Sequence, residues 1–211
     1  MNLRLKIIIV AIGFIVLCAG FLFLGPSLKL AWYDLQTLSA RKQIQTWLAE
    51  PQQARTSDEM LNAEQILKQA NDACPQLAQY PIALAQLHIL QSFGPKLSQI
   101  ERHAHYQQAI AYFHKALNAQ ANNYYSMANI VQFKAYLGQY DPDFENYFLL
   151  SRKLAPHEED IQLTLLNAAY LSWNKLSPQM RKETLALESQ ARSKQNQQVE
   201  QLRRNFPTLA Q

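Results

Sequence analysis

The feature that most constrains the fold is a short pattern of small and aromatic residues at helical spacing. In residues 105–123, Ala109, Phe113 and Ala116 are separated by four and then three positions, which places them on one face of a helix. A small residue lets a neighbouring helix approach closely, and an aromatic ring fills the space beside it. The pattern therefore predicts a helix whose inner face is covered by other helices.

The same spacing recurs upstream and downstream, and each of these copies is followed by a proline, which ends a helix. The two further copies are Ala63, Leu67 and Ala70 before Pro75, and Phe144, Phe148 and Ser151 before Pro156. Ala109 and Phe144 are 35 residues apart, whereas Ala63 and Ala109 are 46 apart. A loop signal at residues 93–98, FGPKLS, accounts for the longer interval. The sequence therefore predicts an array of helix pairs.

These features resemble the tetratricopeptide family, whose repeats are about 34 residues long and contain two helices each. Residues 137–141, LGQYD, resemble the turn between the helices of that family. Trp47 lies 16 residues before Ala63, which matches the family's interval between the first-helix aromatic and the second-helix small residue. The resemblance covers residues 47–176. It implies an all-α fold, an α-solenoid of about three helix pairs closed by a C-terminal capping helix.

An uninterrupted apolar run at residues 7–25, IIIVAIGFIVLCAGFLFLG, follows Arg4 and Lys6. A helix of this length spans roughly 28 Å, enough to cross a hydrocarbon core of ~30 Å. Bulky residues occupy the positions where a cleavable signal peptide needs small ones, so the run is predicted to remain as a membrane anchor. The positive residues before the run favour a cytoplasmic N-terminus, with everything after the anchor on the outer side.

The chain is thus predicted to have five parts. They are a basic cytoplasmic end (1–6), a transmembrane anchor (7–25), a membrane-proximal helix (26–50), a tetratricopeptide-like helical domain (51–194) and a polar tail or capping helix (195–211). The predicted membrane contacts are Ile7, Phe14, Leu17, Phe21 and Leu24 in the anchor, with Trp32 and Tyr33 at the interface.

Charge and motif searches argue against several functions. The net charge of +4 comes from basic residues scattered among 16 acidic ones, which argues against nucleic acid as a partner. The chain contains no HExxH, GxSxG or Walker motif, and His103 and His105 are two apart, on different helical faces. We therefore predict no cofactor, no metal site and no enzymatic activity. An enzymatic function would have only a few moderately clustered acidic residues to use, namely Glu101, Asp141, Asp143 and Glu145.

The C-terminal part of the helical domain carries a second resemblance. Pro156, Gln162, Trp173, Leu176, Pro178 and Arg181 resemble the closing segment of small membrane-anchored repeat proteins of the VpsP family of polysaccharide biosynthesis proteins. That resemblance implies a single-pass protein of the bacterial inner membrane with a periplasmic C-terminal domain. It implies a role in making or exporting a surface polysaccharide, with polymerase, ligase or export components as protein partners.

The tetratricopeptide resemblance also implies where a partner binds, because first-helix residues line the concave side of such solenoids. The corresponding residues of this chain are Gln86, Tyr125, Gln132, Tyr136, Asn167 and Tyr170. Amide and tyrosine side chains suit hydrogen bonding and stacking to a peptide backbone or to sugar. The favoured function is a membrane-anchored protein-interaction scaffold in envelope or exopolysaccharide biosynthesis. A polysaccharide-modifying enzyme or glycan-binding protein and an envelope assembly chaperone remain alternatives.

Overall fold

The computed structural model describes the backbone of residues 3–50 and 56–206, and the side chains of residues 20, 25, 27–50 and 56–206. Within this part of the chain the fold is all-α, as predicted, with no strand. The helices are α1 (Leu3–Ala49), α2 (Ser57–Ala73), α3 (Gln79–Ser92), α4 (Gln99–Ala119), α5 (Tyr124–Tyr136), α6 (Pro142–Leu154), α7 (Glu159–Leu171), a 3-10 turn (Trp173–Lys175) and α8 (Pro178–Arg204).

Two helix starts follow the sequence signals. At α2, the Thr56 hydroxyl accepts a hydrogen bond from the Glu59 amide at 3.2 Å, and the Glu59 carboxylate accepts one from the Thr56 amide at 2.9 Å. This reciprocal capping box satisfies two amides that no helical turn can pair. At α6, Asp141 is the N-cap and Pro142 takes a first-turn position, where its missing N–H costs nothing.

Pro156 follows the end of α6 and does not itself begin the next helix. The first residue of α7 is Glu159, and Glu158 is its N-cap. Pro156 lies in the turn after α6, where its carbonyl accepts hydrogen bonds from Gln162 at 2.7 Å and Gln190 at 2.6 Å. The proline therefore serves as an acceptor that joins α7 to α8.

The turn between α5 and α6 matches the prediction made from LGQYD. Gly138 has a φ of 68°, a left-handed conformation that side chains with a Cβ avoid. The Gly138 amide donates to the Ala135 carbonyl at 3.1 Å, and the Gln139 amide donates to the Lys134 carbonyl at 2.9 Å. This pairing is a Schellman motif, which satisfies the last carbonyls of α5.

The three predicted inner faces are buried. No member of the three copies, from Ala63 to Ser151, is more than 2% exposed. The structure adds a fourth copy in α8 with the same spacing, Thr184, Glu188 and Ala191, all of them buried. Its central position carries a carboxylate where the other copies have leucine or phenylalanine, which is why hydrophobicity did not reveal it.

The helices pack as successive pairs. The end of α1 packs on α2, α3 on α4, α5 on α6, and α7 on α8; in addition, α1 contacts α3 and α5 contacts α7. Ala40, Ile44 and Trp47 of α1 are buried in the same core cluster as α2 and α3. The end of α1 therefore shares one core with α2 and α3.

The predicted anchor lies mostly outside the described side chains. Of residues 7–25, the structure describes the burial of Gly20 and Gly25 only. The predicted membrane contacts Ile7, Phe14, Leu17, Phe21 and Leu24 therefore lie outside the described side chains. Among the residues that the structure describes, no helix is both long and apolar enough to cross a membrane. At the predicted interface, Trp32 is 58% exposed, whereas Tyr33 is half-buried against the α1–α3 core.

The last helix is bent. Gln195 has a φ of −135° and a ψ of 46°, which interrupts the helical geometry of α8. Its side-chain amide donates to the Gln162 carbonyl oxygen at 2.9 Å and to the Glu159 backbone carbonyl at 3.2 Å. Beyond the bend, Val199 is buried and Phe206 packs on the same core. The final turns of α8 thus pack on the core cluster that α5, α6 and α7 form with the first part of α8.

Candidate functional site

Five of the six predicted binding residues, all except Tyr170, lie on one side of the helix pairs, which we call the first-helix surface. It is formed by residues 38–46 of α1, by α3, α5 and α7, and by residues 198–205 of α8. These segments come from successive helix pairs, so their side chains meet across helix boundaries. Two polar chains and two cavities occupy this surface.

The first polar chain joins α1, α3 and α5. The Gln45 amide donates to the Gln86 carbonyl oxygen at 3.0 Å, and the Gln86 amide donates to the Tyr125 hydroxyl at 2.9 Å. Gln86 is only 6% exposed. Burial raises the pKa of Tyr125, and the hydrogen bond from Gln86 opposes that rise. The polar groups of Gln86 are thus largely used in holding three helices together.

The second polar chain joins α5 and α7. The Tyr136 hydroxyl accepts hydrogen bonds from the Gln132 amide at 3.3 Å and from the Asn167 amide at 3.0 Å. The Tyr136 ring stacks on the Tyr106 ring of α4, with 5.5 Å between ring centroids. Three of the predicted residues are therefore in direct contact, around a tyrosine that is 38% exposed.

Tyr170 takes part in neither of the two polar hydrogen-bond chains. Its side chain is 4% exposed, and its ring lies 5.8 Å from the ring of Phe206 at the end of α8. Its buried hydroxyl has no hydrogen-bond partner among the residues that the structure describes. Burial first, and then the neighbouring Glu188 carboxylate, raise the pKa of Tyr170. The structure places this residue in the packing between α7 and α8, away from the first-helix surface.

The α1–α3 cavity is the larger of the two described on this surface, with a volume of about 550 Å³. Its apolar lining is Leu38, Ile82 and Ala83, and its polar lining includes Arg41, Lys42, Gln45, Gln79 and Gln86. Arg41 donates to the Asp34 carboxylate at 2.5 Å and to the Gln79 carbonyl oxygen at 3.1 Å. Its Nε is buried and has no partner among the described residues. This cavity combines apolar contact with positive charge.

The α7–α8 cavity, of about 380 Å³, lies at the other end of the surface. Its polar lining is Gln132, Thr164, Asn167, Gln198, Gln201 and Asn205, and its apolar lining is Leu163 and Leu202. None of these side chains is ionisable. Residues 198–205 were not predicted as site residues, because they reach this place only through the bend in α8.

The acidic residues considered for an enzyme are used at helix starts. Glu101 forms a capping box with Ser98, and the Ser98 hydrogen bonds lower the pKa of Glu101. Asp141 caps α6 and forms an ion pair with Lys134, a buried side chain of α5. Asp143 and Glu145 lie in the first turn of α6. Among the described residues, no group of three or more histidines, cysteines or acids has the geometry to hold a metal ion.

One histidine contact was not predicted. His105 of α4 meets His88 of α3, with 3.4 Å between the two Nδ1 atoms, and the His88 ring stacks on Tyr112. Burial lowers the pKa of both histidines, although the Glu64 carboxylate opposes this. The sequence separates the two residues by 17 positions, so only the antiparallel packing of α3 and α4 brings them together.

No protein-family model matches the chain, and no curated protein sequence matches it significantly. Function is therefore inferred from the two cavities and the residues around them.

Proposed function

We propose that the chain is a membrane-anchored scaffold that binds other proteins in the periplasm and acts in cell-envelope or exopolysaccharide biosynthesis or export. The observation that supports this proposal is the first-helix surface. Helices from successive pairs lie side by side there and present cationic, amide and hydroxyl groups around two cavities. Stacked repeats characteristically create an extended surface of this kind for binding partners.

The repeat pattern supports a tetratricopeptide-like solenoid. Three inner faces with the same spacing are buried, and a fourth occurs in α8. Each face lies on the second helix of a pair, which leaves the first helices to form a common side. In this arrangement every pair buries its hydrophobic face only against its neighbours, and the bent end of α8 closes the series.

The anchor proposal draws on the continuity of α1. One helix extends from Leu3 to Ala49, so the predicted anchor run and the first part of the helical domain share an axis. From Gly25 to Arg41 the helical rise amounts to about 24 Å. The α1–α3 cavity would therefore lie close to the inner membrane, within reach of the periplasmic loops of polymerase, ligase or export components.

The α1–α3 cavity indicates what a partner segment should contain. Leu38 and Ile82 provide apolar contact, while Arg41 and Lys42 add positive charge beside it. A peptide segment that carries an apolar side chain next to a carboxylate would satisfy both. Partial burial strengthens such an ion pair relative to one on an open surface.

Site-specific crosslinking tests the proposal. A photoreactive amino acid is placed at Gln45, which lies on the first-helix surface, or at the exposed Gln108 of α4 as a matched control. The full-length protein is crosslinked in its native membrane, and the adducts are identified by mass spectrometry. We expect envelope or polysaccharide components at Gln45 but not at Gln108, and fewer of them when Lys42→Glu is added. Equal adducts at both positions would refute the scaffold role of this surface.

Topology requires a separate test. Cys74 is buried, so an introduced cysteine at the exposed Gln107 would be the main target of a membrane-impermeant maleimide in the helical domain. We expect labelling of Gln107→Cys once the outer membrane is permeable, and labelling of Asn2→Cys only after the inner membrane is broken. The reverse order would place the helical domain in the cytoplasm.

A further inference from the structure

The polar lining of the α7–α8 cavity is chemically uniform. Five of its six polar side chains are carboxamides and the sixth is the hydroxyl of Thr164. Each carboxamide offers an N–H donor and a carbonyl acceptor a short distance apart. Since the lining contains no ionisable side chain, the cavity offers no full charge to pair with an anion or a cation.

Much of this hydrogen-bonding capacity is not used within the described part of the chain. Gln132 and Asn167 donate to Tyr136, but their carbonyl oxygens accept no hydrogen bond there. The side chains of Gln198 and Gln201 make no hydrogen bond to another described residue, and Asn205 behaves in the same way. At the other end of the surface, both polar groups of Gln86 are already paired. The available donors and acceptors that line this cavity therefore form a compact cluster.

The cavity wall contributed by α8 is held in place by buried contacts. Gln195, at the bend, is 3% exposed and is hydrogen-bonded to Gln162 of α7. Val199, within the cavity wall, is buried, and Phe206, just beyond the wall, contacts Tyr170. A wall fixed by the core does not need to be ordered when a ligand binds, which lowers the entropic cost of binding.

We propose that the α7–α8 cavity binds a neutral carbohydrate. A sugar hydroxyl both donates and accepts, so neighbouring hydroxyls can pair with the donor and the acceptor of one carboxamide. Leu163 and Leu202 provide apolar contact for the C–H faces of the sugar. The cavity volume of about 380 Å³ is within the range of small-ligand sites. This ligand is additional to the protein partner proposed above and does not depend on it.

The cavity chemistry favours this ligand over two others. An anionic sugar or phosphate would lose its hydration without gaining a cationic partner in the lining. An extended peptide presents its amides and carbonyls in a line, whereas the groups that line this cavity form a compact cluster. A short ligand with many hydroxyls on one small ring matches that cluster.

The test uses the full-length protein in a detergent without a sugar headgroup, so that the detergent does not occupy the cavity. The probes are an array of neutral and acidic oligosaccharides together with an uncharged peptide. We expect binding to at least one neutral oligosaccharide, no binding to its acidic counterpart and no displacement by the peptide.

Paired variants place the binding in the cavity. Gln201→Leu removes one lining carboxamide at an exposed position, and Gln197→Leu is the control on the same segment outside the lining. Loss of a hydrogen bond should weaken binding by about threefold to tenfold in Gln201→Leu and leave Gln197→Leu unchanged. Crosslinking from Gln45 should be the same in both variants, so a failure of the sugar site can be told apart from a failure of the scaffold.

Four outcomes would overturn the proposal. They are no binding to any neutral oligosaccharide, binding to acidic sugars alone, equal binding by Gln201→Leu and Gln197→Leu, and displacement of the sugar by the uncharged peptide. Circular dichroism of each variant shows that the helices are intact, so a loss of binding reports on the cavity.

Discussion

The buried carboxylate of Glu188 provides the sharpest test of how the C-terminal end of the fold is held together. It occupies the central position of the fourth inner face, where the preceding copies have Leu67, Phe113 and Phe148. Its Oε1 accepts hydrogen bonds from Arg192 at 2.7 Å and from Arg203 at 2.6 Å. Although burial opposes its ionisation, hydrogen bonds led by that of Arg192 keep the pKa of Glu188 low.

Glu188→Gln removes the charge while keeping the volume and one acceptor oxygen. Hydrogen bonds to a charged group contribute about 1.5–3 kcal/mol each, and exposed pairs contribute about 0–1 kcal/mol. The hydrogen bond from Arg203 is given the contribution of an exposed pair, because the Arg203 side chain is 37% exposed. The hydrogen bond from Arg192, whose side chain is 27% exposed, is given a contribution nearer that of a hydrogen bond to a buried charged group. The expected loss is about 2 kcal/mol in the free energy of unfolding, which for a domain of this size lowers Tm by about 4–8 °C.

Thermal unfolding by circular dichroism, combined with amide hydrogen exchange, measures both the size and the place of the effect. Glu183→Gln is the control, because Glu183 lies in the same helix as Glu188 and forms a part-exposed ion pair with Arg152 of α6. Exchange protection should fall in residues 196–206 for Glu188→Gln, since Arg203 then no longer ties the bent end of α8 to its first part. A double-mutant cycle with Arg203→Gln should give a coupling of about 1 kcal/mol.

The reasoning would be refuted if Glu188→Gln and Glu183→Gln lowered Tm equally and the cycle gave no coupling. Glu188 would then be equivalent to a surface ion pair, and other contacts, such as the packing of Val199 and Phe206 and the Arg192–Glu200 ion pair, would hold the bent end in place. Unchanged exchange in residues 196–206 would lead to the same conclusion.

Three further predictions concern the core and the helix ends. Phe113→Ala should cost about 3–5 kcal/mol in chemical denaturation, because Phe113 is fully buried, while Phe113→Leu should cost clearly less. Because burial lowers the pKa of His88 and His105 in the folded state, the unfolded chain binds more protons below its ordinary histidine pKa of ~6.5. The free energy of unfolding should therefore fall as pH drops through that value, and should fall less in a His88→Gln, His105→Gln variant measured by the same denaturation series. Thr56→Ala should cost about 1 kcal/mol by removing the capping box of α2, with the exposed Gln65→Ala as a near-neutral control.

Much of the helical architecture could be predicted because it depends on local signals. The spacing of Ala109, Phe113 and Ala116 sets a helical face whatever surrounds it, and Thr56 and Asp141 begin helices by hydrogen bonding to amides three residues away. The role of Pro156 as a hydrogen-bond acceptor could not be predicted, because it depends on Gln162 and Gln190 in other helices, which no local pattern contains.

The candidate site could be predicted only in part from the sequence. The tetratricopeptide resemblance implied Gln132, Tyr136 and Asn167 as site residues, and the structure brings them into contact. The same resemblance placed Tyr170 with them, but the bent end of α8 packs over it. Residues 198–205 were missed for the same reason, since their place on the surface follows from the bend at Gln195.

The sequence by itself determined the all-α class, the three buried faces and most helix ends, because each depends on side chains within a few turns of one helix. Only the tertiary structure decided which polar groups are already paired and which remain available. The side chain of Gln86 is hydrogen-bonded to residues of two other helices. Gln198 and Gln201 reach the cavity because α8 bends at Gln195, and the hydrogen bond that Gln195 donates to Gln162 of α7 stabilises this bend. Hydrogen-bond satisfaction is a property of the assembled helices, so no pattern within a single helix can specify it.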